Sequence, residues 1–460
     1  MNEKVLTSVQ PVKLPLRVKI GYSVGSAAKA LLAVSTAAFL LYFYTDVCGI
    51  DPVVASTIIM IAKIWDIVND PIMGAIVDRT ASKEGKCLFF LKRFSVPAGI
   101  IVALSFTMPN FAMPGRVVWA LVTYILQDMA STSLLIPLNT LMGRITSEQK
   151  EQAKLSQYSN FFSLIGQYAV QGYMMISVAA LGGGINTRGF MLVGIILGAI
   201  YALLHLIVYW SVKGYEPVEQ PAQPAGEETK LQEKQHTPLK EALAALIKNR
   251  MWLWVMVVFF FESLALYSEA AVMQFYFQYN HGNDMSLYTI YSNITLAAAI
   301  LIILGLSFVV GKFGTSKTAM AGCLLAFAGY AVRFLLRDES QLIMGIGWSL
   351  GAVGTTLFNG VILLLIFEAR DWGARRTGVS NDALLMSGYS VAYKIGSALG
   401  GCVAGFLMPA AYVSGAATQV ESVQRYFFNW STLYPCIAFV IAIAAMLVVM
   451  KYERELKDGK

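Results

Sequence analysis

Apolar residues recur along this chain in runs of membrane-spanning length, not in the short alternating or single-faced patterns of a soluble core. A helix that crosses the hydrocarbon layer needs about 20 residues. Runs of that order lie near 20–45, 52–78, 88–112, 116–142, 156–182, 187–213, 251–279, 285–311, 316–337, 341–368, 382–412 and 428–451. The pattern predicts an all-α polytopic protein with twelve spans, six on either side of a polar interval from Lys213 to Arg250. That interval carries Pro217, Pro221 and Pro224 among Glu, Gln and Lys, a composition that cannot bury a core and reads as a linker. Near its end Thr237-Pro238 offers a helix cap and a first-turn proline ahead of Leu239, Ala242, Leu243 and Leu246, which predicts a short amphipathic helix leading into span seven. The expected organisation is a first six-helix bundle over 1–212, a linker over 213–250, a second bundle over 251–451 and a tail over 452–460.

Composition agrees with a bilayer as the solvent. Of 460 residues 57% are hydrophobic and only 14% charged, with a mean hydropathy of +0.59, whereas a soluble protein carries about a quarter charged residues. The net charge of +7 does not point to nucleic acid, because the basic residues are scattered between apolar runs instead of gathered on one face. Their distribution sets topology. On the side of both termini and the linker lie 27 of the 35 Lys and Arg, against 5 opposite (Arg116, Arg188, Arg333, Arg337 and Arg425) and three lysines inside spans. The excess marks the cytoplasmic side, so both termini are expected there. The expectation is a multi-pass protein of the cell (inner or plasma) membrane, monomeric, with the lipid bilayer as its surroundings.

Other chemistry is sparse. The five cysteines, Cys48, Cys87, Cys323, Cys402 and Cys436, lack close paired spacing and read as reduced packing residues. With three histidines, His205, His236 and His281, no metal site beyond a monovalent cation and no resident cofactor is expected. The polar N-terminal stretch leads into a full-length span and reads as a retained anchor, not a cleaved signal. No nucleophile, base and orienting group stand at matching spacing, which excludes an enzyme at this level.

What remains is charge inside the spans, where each ionisable group costs about 3 kcal/mol near the bilayer centre. Span two reads Lys63-Ile-Trp-Asp66-Ile-Val-Asn69-Asp70-Pro71, and positions 66, 69 and 70 share one helical face at i, i+3 and i+4. Two carboxylates and an amide there suit a hard monovalent cation or a shared proton; the alternative is an internal salt bridge to Lys63 and Lys394. Lys394 sits in span eleven among Gly388, Gly396, Gly400, Gly401 and Gly405, small residues that permit close helix approach, and is expected to face the span-two acids. Ser26 and Lys29 share a face of span one, with Lys29 either addressing a cavity or snorkelling to the interface. Asp128, Glu262, Glu269 and Glu368 complete the set, each open to local pairing or to substrate contact.

Several strings then resemble a known family. Gly21-Tyr22, Leu41-Tyr-Phe-Tyr-Thr-Asp46-Val-Cys-Gly49-Ile, Ile64-Trp-Asp66-Ile-Val-Asn-Asp70-Pro-Ile-Met-Gly74 and Asp78-Arg79-Thr80 with Gly85-Lys86 resemble the glycoside–pentoside–hexuronide:cation symporters, the melibiose-permease group of the major facilitator superfamily. Ile136-Pro137, Asp371-Trp372-Gly373, Arg376-Thr-Gly378 and Lys394-Ile-Gly396 extend the likeness along the chain. The resemblance implies two pseudo-symmetric six-helix bundles around a midplane cavity that opens alternately to either side. It implies cation-binding positions at Asp66, Asn69, Asp70 and Thr132, a coupling lysine at Lys394, and gating charges at Asp78, Arg79, Glu368, Asp371 and Arg376. Four sugar-facing positions depart from the melibiose pattern, Ser26 and Leu135 replacing aspartates, Asn139 an aromatic and Asn160 an arginine; elsewhere Lys63 stands where the family often has arginine and Ala374 where an acid is usual after Asp371-Trp-Gly. The implied activity is symport of a small-molecule glycoside or related sugar derivative with Na+, or with Li+ or H+. A solute less like a sugar, or a sensor that no longer transports, are the other readings of those departures.

Overall fold

A computed structural model describes residues 14–80, 82–146, 148–216, 246–282, 284–337, 340–377 and 382–457. The amphipathic helix expected near 237–246 and most of the 213–250 linker lie outside the described residues, as do the end of the tail and the side chain of Asp78.

The described residues form helices α1 (Leu16–Tyr42), α2 (Pro52–Arg79), α3 (Lys86–Ser105), α4 (Met113–Ile145), α5 (Gln149–Gly182) and α6 (Thr187–Val212). After the linker come α7 (Arg250–Asn280), α8 (Met285–Phe313), α9 (Thr315–Leu335), α10 (Gln341–Thr377), α11 (Asp382–Phe406), α12 (Glu421–Ser431) and α13 (Leu433–Lys457). Among the described residues eleven stretches are long and apolar enough to cross a bilayer, α12 and α13 together making one of them. The twelfth crossing is α11, 25 residues long, whose apolar signal is diluted by Gly, Ser and Tyr.

Differences from the expected spans have local causes. Span twelve is broken at Thr432, because Pro435 has no N–H to offer the carbonyl of Ser431 four residues back. The guanidinium of Arg333 takes that carbonyl at 3.3 Å. Span eleven ends at Phe406, six residues early, and the chain from 407 to 420 crosses irregularly toward α1. Helix α10 continues to Thr377, past the end of its apolar run, because a helix propagates on its own hydrogen bonds once formed.

Helices pack closely where glycines meet. A Cβ at Gly99 of α3 would lie 2.4 Å from the Gly198 carbonyl oxygen of α6, and one at Gly329 of α9 would lie 2.4 Å from the Gly347 oxygen of α10. With little hydrophobic drive between helices in lipid, such backbone contact supplies much of the packing energy. Between the bundles the contacts run α2 to α11, α5 to α8 and α1 to α7. Adding six to each helix number maps these pairs onto one another, which is the signature of a two-fold relation between halves.

Candidate functional site

Three helices build the midplane cluster. On α2, Asp66, Asn69 and Asp70 occupy one face, and Pro71 continues the helix. Opposite stands Lys394 of α11, whose Nζ lies 3.1 Å from an Asp66 carboxylate oxygen and also pairs directly with Asp70. From α4 the Thr132 hydroxyl, 1% exposed, donates to Asp70 at 3.4 Å. The ammonium therefore fills the space between the two carboxylates. It also ties the bundles together, since α2 belongs to the first and α11 to the second.

The salt-bridge alternative splits between the two lysines. Lys394 makes the bridge; Lys63 makes no direct ion pair among the described residues, its charge sitting among Tyr124, Asp66, Asp128 and Tyr393. Asp66, the acid three residues along the same helix, is already engaged by Lys394. Asp128, one turn before Thr132 on α4, adds a third carboxylate to the field of Asp66, Lys63, Lys394 and Asp70. Its Oδ2 and the Nδ2 of Asn69 are buried without hydrogen-bond partners, a condition that costs about 1–3 kcal/mol per group and leaves both atoms available to a ligand. Asp128 was visible in the sequence as a charge within a span, but nothing in its spacing joined it to span two.

On α1, Lys29 is exposed, without an ion pair or hydrogen bond among the described residues, and lies in the field of Asp70. Its exposure and that neighbour put it toward the space between the bundles. Ser26 is half-buried one turn earlier; Asn139 and Asn160 are exposed and Leu135 half-buried. None of these four makes a side-chain hydrogen bond among the described residues, so they stand as open polar and apolar wall. On the second bundle Glu262, 1% exposed, accepts from Asn359 at 2.7 Å and has only neutral donors. Glu269 has a structural role: it pairs at 3.1 Å with Arg333, which is 1% exposed and lies over the rings of Trp348 and Tyr276 at 5.2 and 5.7 Å.

Among the described side chains, Arg79, Asp371 and Arg376 make no ion pair with one another. Arg79 is exposed at the end of α2. Asp371 pairs with Arg370 at 2.8 Å and Arg376 with Glu455 at 3.0 Å, both within the second bundle. At the opposite end, away from the termini, the bundles are latched. Asp46, in a π-helical turn after α1, accepts the hydroxyls of Tyr279 and Tyr412, that of Thr45 at 2.9 Å and the Gly415 N–H at 3.3 Å. Tyr42 donates to Gln278 beside it, and Tyr173 of α5 meets Asn293 of α8 at 3.2 Å. In the sequence Asp46 stands only inside a motif; its partners lie 233 and 366 residues away, beyond any local signal.

Two bundles related by a two-fold, twelve crossings and a charged midplane cluster define a membrane transporter of the major facilitator type, not an enzyme. The chain belongs to the MFS/sugar transport protein family, whose model matches residues 21–454; this is the glycoside–pentoside–hexuronide:cation branch that its motifs resemble. It is 27% identical over 443 residues to the isoprimeverose transporter of Lactiplantibacillus pentosus, covering 94% of this chain and 88% of that protein. It is 24% identical over 439 residues to the glucuronide carrier protein homolog of Escherichia coli K12, covering 93% and 92%. Among solved structures, a bacterial homolog of the lysosomal transporter Spinster, inward-facing and unoccupied, superposes with a TM-score of 0.66 at 14% identity, over 96% of this chain and 97% of that one. At that identity the likeness is one of fold.

Proposed function

We propose that the protein is a cation-coupled symporter of glycosides or related sugar derivatives, with Na+ as the coupling ion. The observation that carries this reading is Lys394 lodged between Asp66 and Asp70. A cation entering that site competes with the ammonium for the same oxygens, so its binding frees α11 from α2 and shifts the balance between conformations by differential affinity. Asn69 and Thr132 supply neutral oxygens that a sodium ion uses and a proton does not need. With both termini cytoplasmic, the reading that the lysine and arginine asymmetry supports, the latched end is the outer one and the molecule faces inward. In the outward-facing state Asp78 and Arg79 close the cytoplasmic side, with Glu368, Asp371 and Arg376 as their counterparts on the second bundle.

Charge balance favours an anionic substrate. Asp66, Asp70 and Asp128 are matched by Lys63, Lys394 and Lys29, so a cation entering alone leaves one positive charge in excess in a low-dielectric space. A uronide or another anionic glycoside entering with it restores neutrality and meets Lys29, which is exposed and has no ion pair or hydrogen bond among the described residues. Uptake of labelled neutral and anionic glycosides into proteoliposomes, driven by sodium, lithium or proton gradients, tests both parts. Sodium-stimulated uptake of the anionic sugars is expected, with Lys29→Gln weakening their binding by about 1–3 kcal/mol. Tight uptake of a neutral disaccharide, unaffected by Lys29→Gln, contradicts the substrate reading and leaves the coupling reading intact.

A further inference from the structure

A second concentration of charge lies far from the midplane cluster, at the terminus-side end of the second bundle. Four cations, Lys248, Arg250, Arg376 and Lys451, line a cavity of about 400 Å³ in which the single carboxylate among the described residues, Glu455, is taken by Arg376 at 3.0 Å. Lys248, Arg250 and Lys451 therefore face one concavity without an ion pair or hydrogen bond among the described residues. We infer that this cavity is a binding site for the phosphate of an anionic phospholipid headgroup.

The walls are built to hold such a group. Asn249, between two of the cations, caps α7 by accepting from the Trp252 N–H at 3.0 Å and donates to the Ala369 carbonyl of α10 at 2.8 Å. That double bond to two helices fixes where Lys248 and Arg250 stand. The guanidinium of Arg376 lies 4.5 Å above the ring of Trp372, which in turn meets Tyr452 edge-on at 5.0 Å. A stacked guanidinium is held flat with N–H donors still free, the geometry that recognises a phosphate with two parallel bonds. The first turn of α7, 31 residues long, adds its partial positive charge to the same place.

Position separates a lipid from a soluble anion. The cavity lies where three apolar spans end, Arg250–Asn280, Gln341–Arg376 and Glu421–Leu456, and Trp and Tyr at such ends mark the headgroup level. Beside the cations Ile247 is 68% exposed and Leu253 and Trp254 each 38%, an apolar flank along which acyl chains lie while the phosphate enters the basic cavity. Basic cavities between helices on the cytoplasmic side bind acidic headgroups for this reason.

The site is independent of the coupling ion and the substrate, and a binding measurement in detergent is indifferent to orientation in the membrane. The purified full chain, stripped of lipid, is titrated with phosphatidylglycerol, phosphatidylcholine or inorganic phosphate while bound lipid is counted by native mass spectrometry and the melting temperature is followed. Phosphatidylglycerol is expected to stay bound and raise the melting temperature; phosphatidylcholine and phosphate are not. Lys248→Gln/Arg250→Gln/Lys451→Gln should weaken phosphatidylglycerol at least about tenfold, and Lys451→Gln alone should do so in part if the triple variant folds poorly. Equal retention of the two lipids, or undiminished phosphatidylglycerol binding by a folded variant, overturns the inference. A shift produced by inorganic phosphate alone overturns it in favour of a soluble anion.

Discussion

Asp70 and Lys394 are 324 residues apart in sequence and in direct contact in space. That contact was partly legible beforehand, because Asp66, Asn69 and Asp70 repeat at helical spacing and a lysine within an apolar run needs a counter-charge. Nothing local could have joined Asp128 to them, since it shares no helix with either partner. Outside the bilayer, Glu151 shows the same limit: its carboxylate, 1% exposed, accepts from Lys154 at 2.8 Å, from Lys19 at 2.7 Å and from the Leu14 N–H at 3.1 Å. The ammoniums of Lys154 and Lys19 hold its carboxyl at about 2, below the usual 4.5. A depressed carboxyl stabilises the fold fully above its unfolded value and loses that contribution as pH falls toward its folded one. The melting temperature of the wild type should therefore exceed that of Glu151→Gln at neutral pH, with the gap narrowing from pH 4.5 down toward about 2. A gap that is constant across that window means the bonds to Glu151 carry no linkage.

At the scale of the element, helices were readable as apolar runs, but their ends were not. The break at Thr432 follows from Pro435, a signal present in the sequence that hydropathy alone passes over. Glu216, placed in the linker by composition, binds into the first bundle by accepting the N–H groups of Cys87 and Leu88 at the start of α3, at 3.0 and 2.9 Å, and pairing with Arg144 at 2.8 Å. Charged and polar composition could not distinguish a tethered acid from a solvated one. Glycine spacing, by contrast, does forecast contact. Gly99→Leu has no room against the Gly198 carbonyl and is expected to destabilise the first bundle by about 1–3 kcal/mol or more, read as a lower melting temperature in detergent. An unchanged value would mean that α3 and α6 do not approach so closely.

Across the whole molecule, the two bundles meet at the latched end through Asp46 and through α5 against α8. A Cβ at Gly172 would stand 3.5 Å from that of Ser292, within the span of a disulfide. Oxidising Gly172→Cys/Ser292→Cys should lock that end shut and stop transport, with reduction restoring it. Transport that persists after full crosslinking contradicts alternating access at this interface. A reporter fused to the C-terminus should be cytoplasmic, and a signal from the opposite side would reverse the inward-facing assignment. The two-fold pairing of helices could not be derived from spans alone, because hydropathy orders helices along the chain without saying which touch. The resemblance to the symporter family supplied that architecture in advance, and the helix contacts then bear it out.

The central claim is that the Asp66–Asp70 pair, now held by Lys394, is where a cation couples to solute. Asp66→Asn and Asp70→Asn each remove one of the two carboxylates that hold the Lys394 ammonium and for which, on this proposal, a cation competes. In proteoliposomes, the dependence of substrate uptake on sodium is measured for the wild type and both variants, with the amount of folded protein equalised by size-exclusion profile. The account predicts that the wild type is stimulated by sodium and that both variants lose that stimulation while remaining folded. Stimulation that survives both substitutions with unaltered sodium affinity would contradict it and place the coupling site elsewhere.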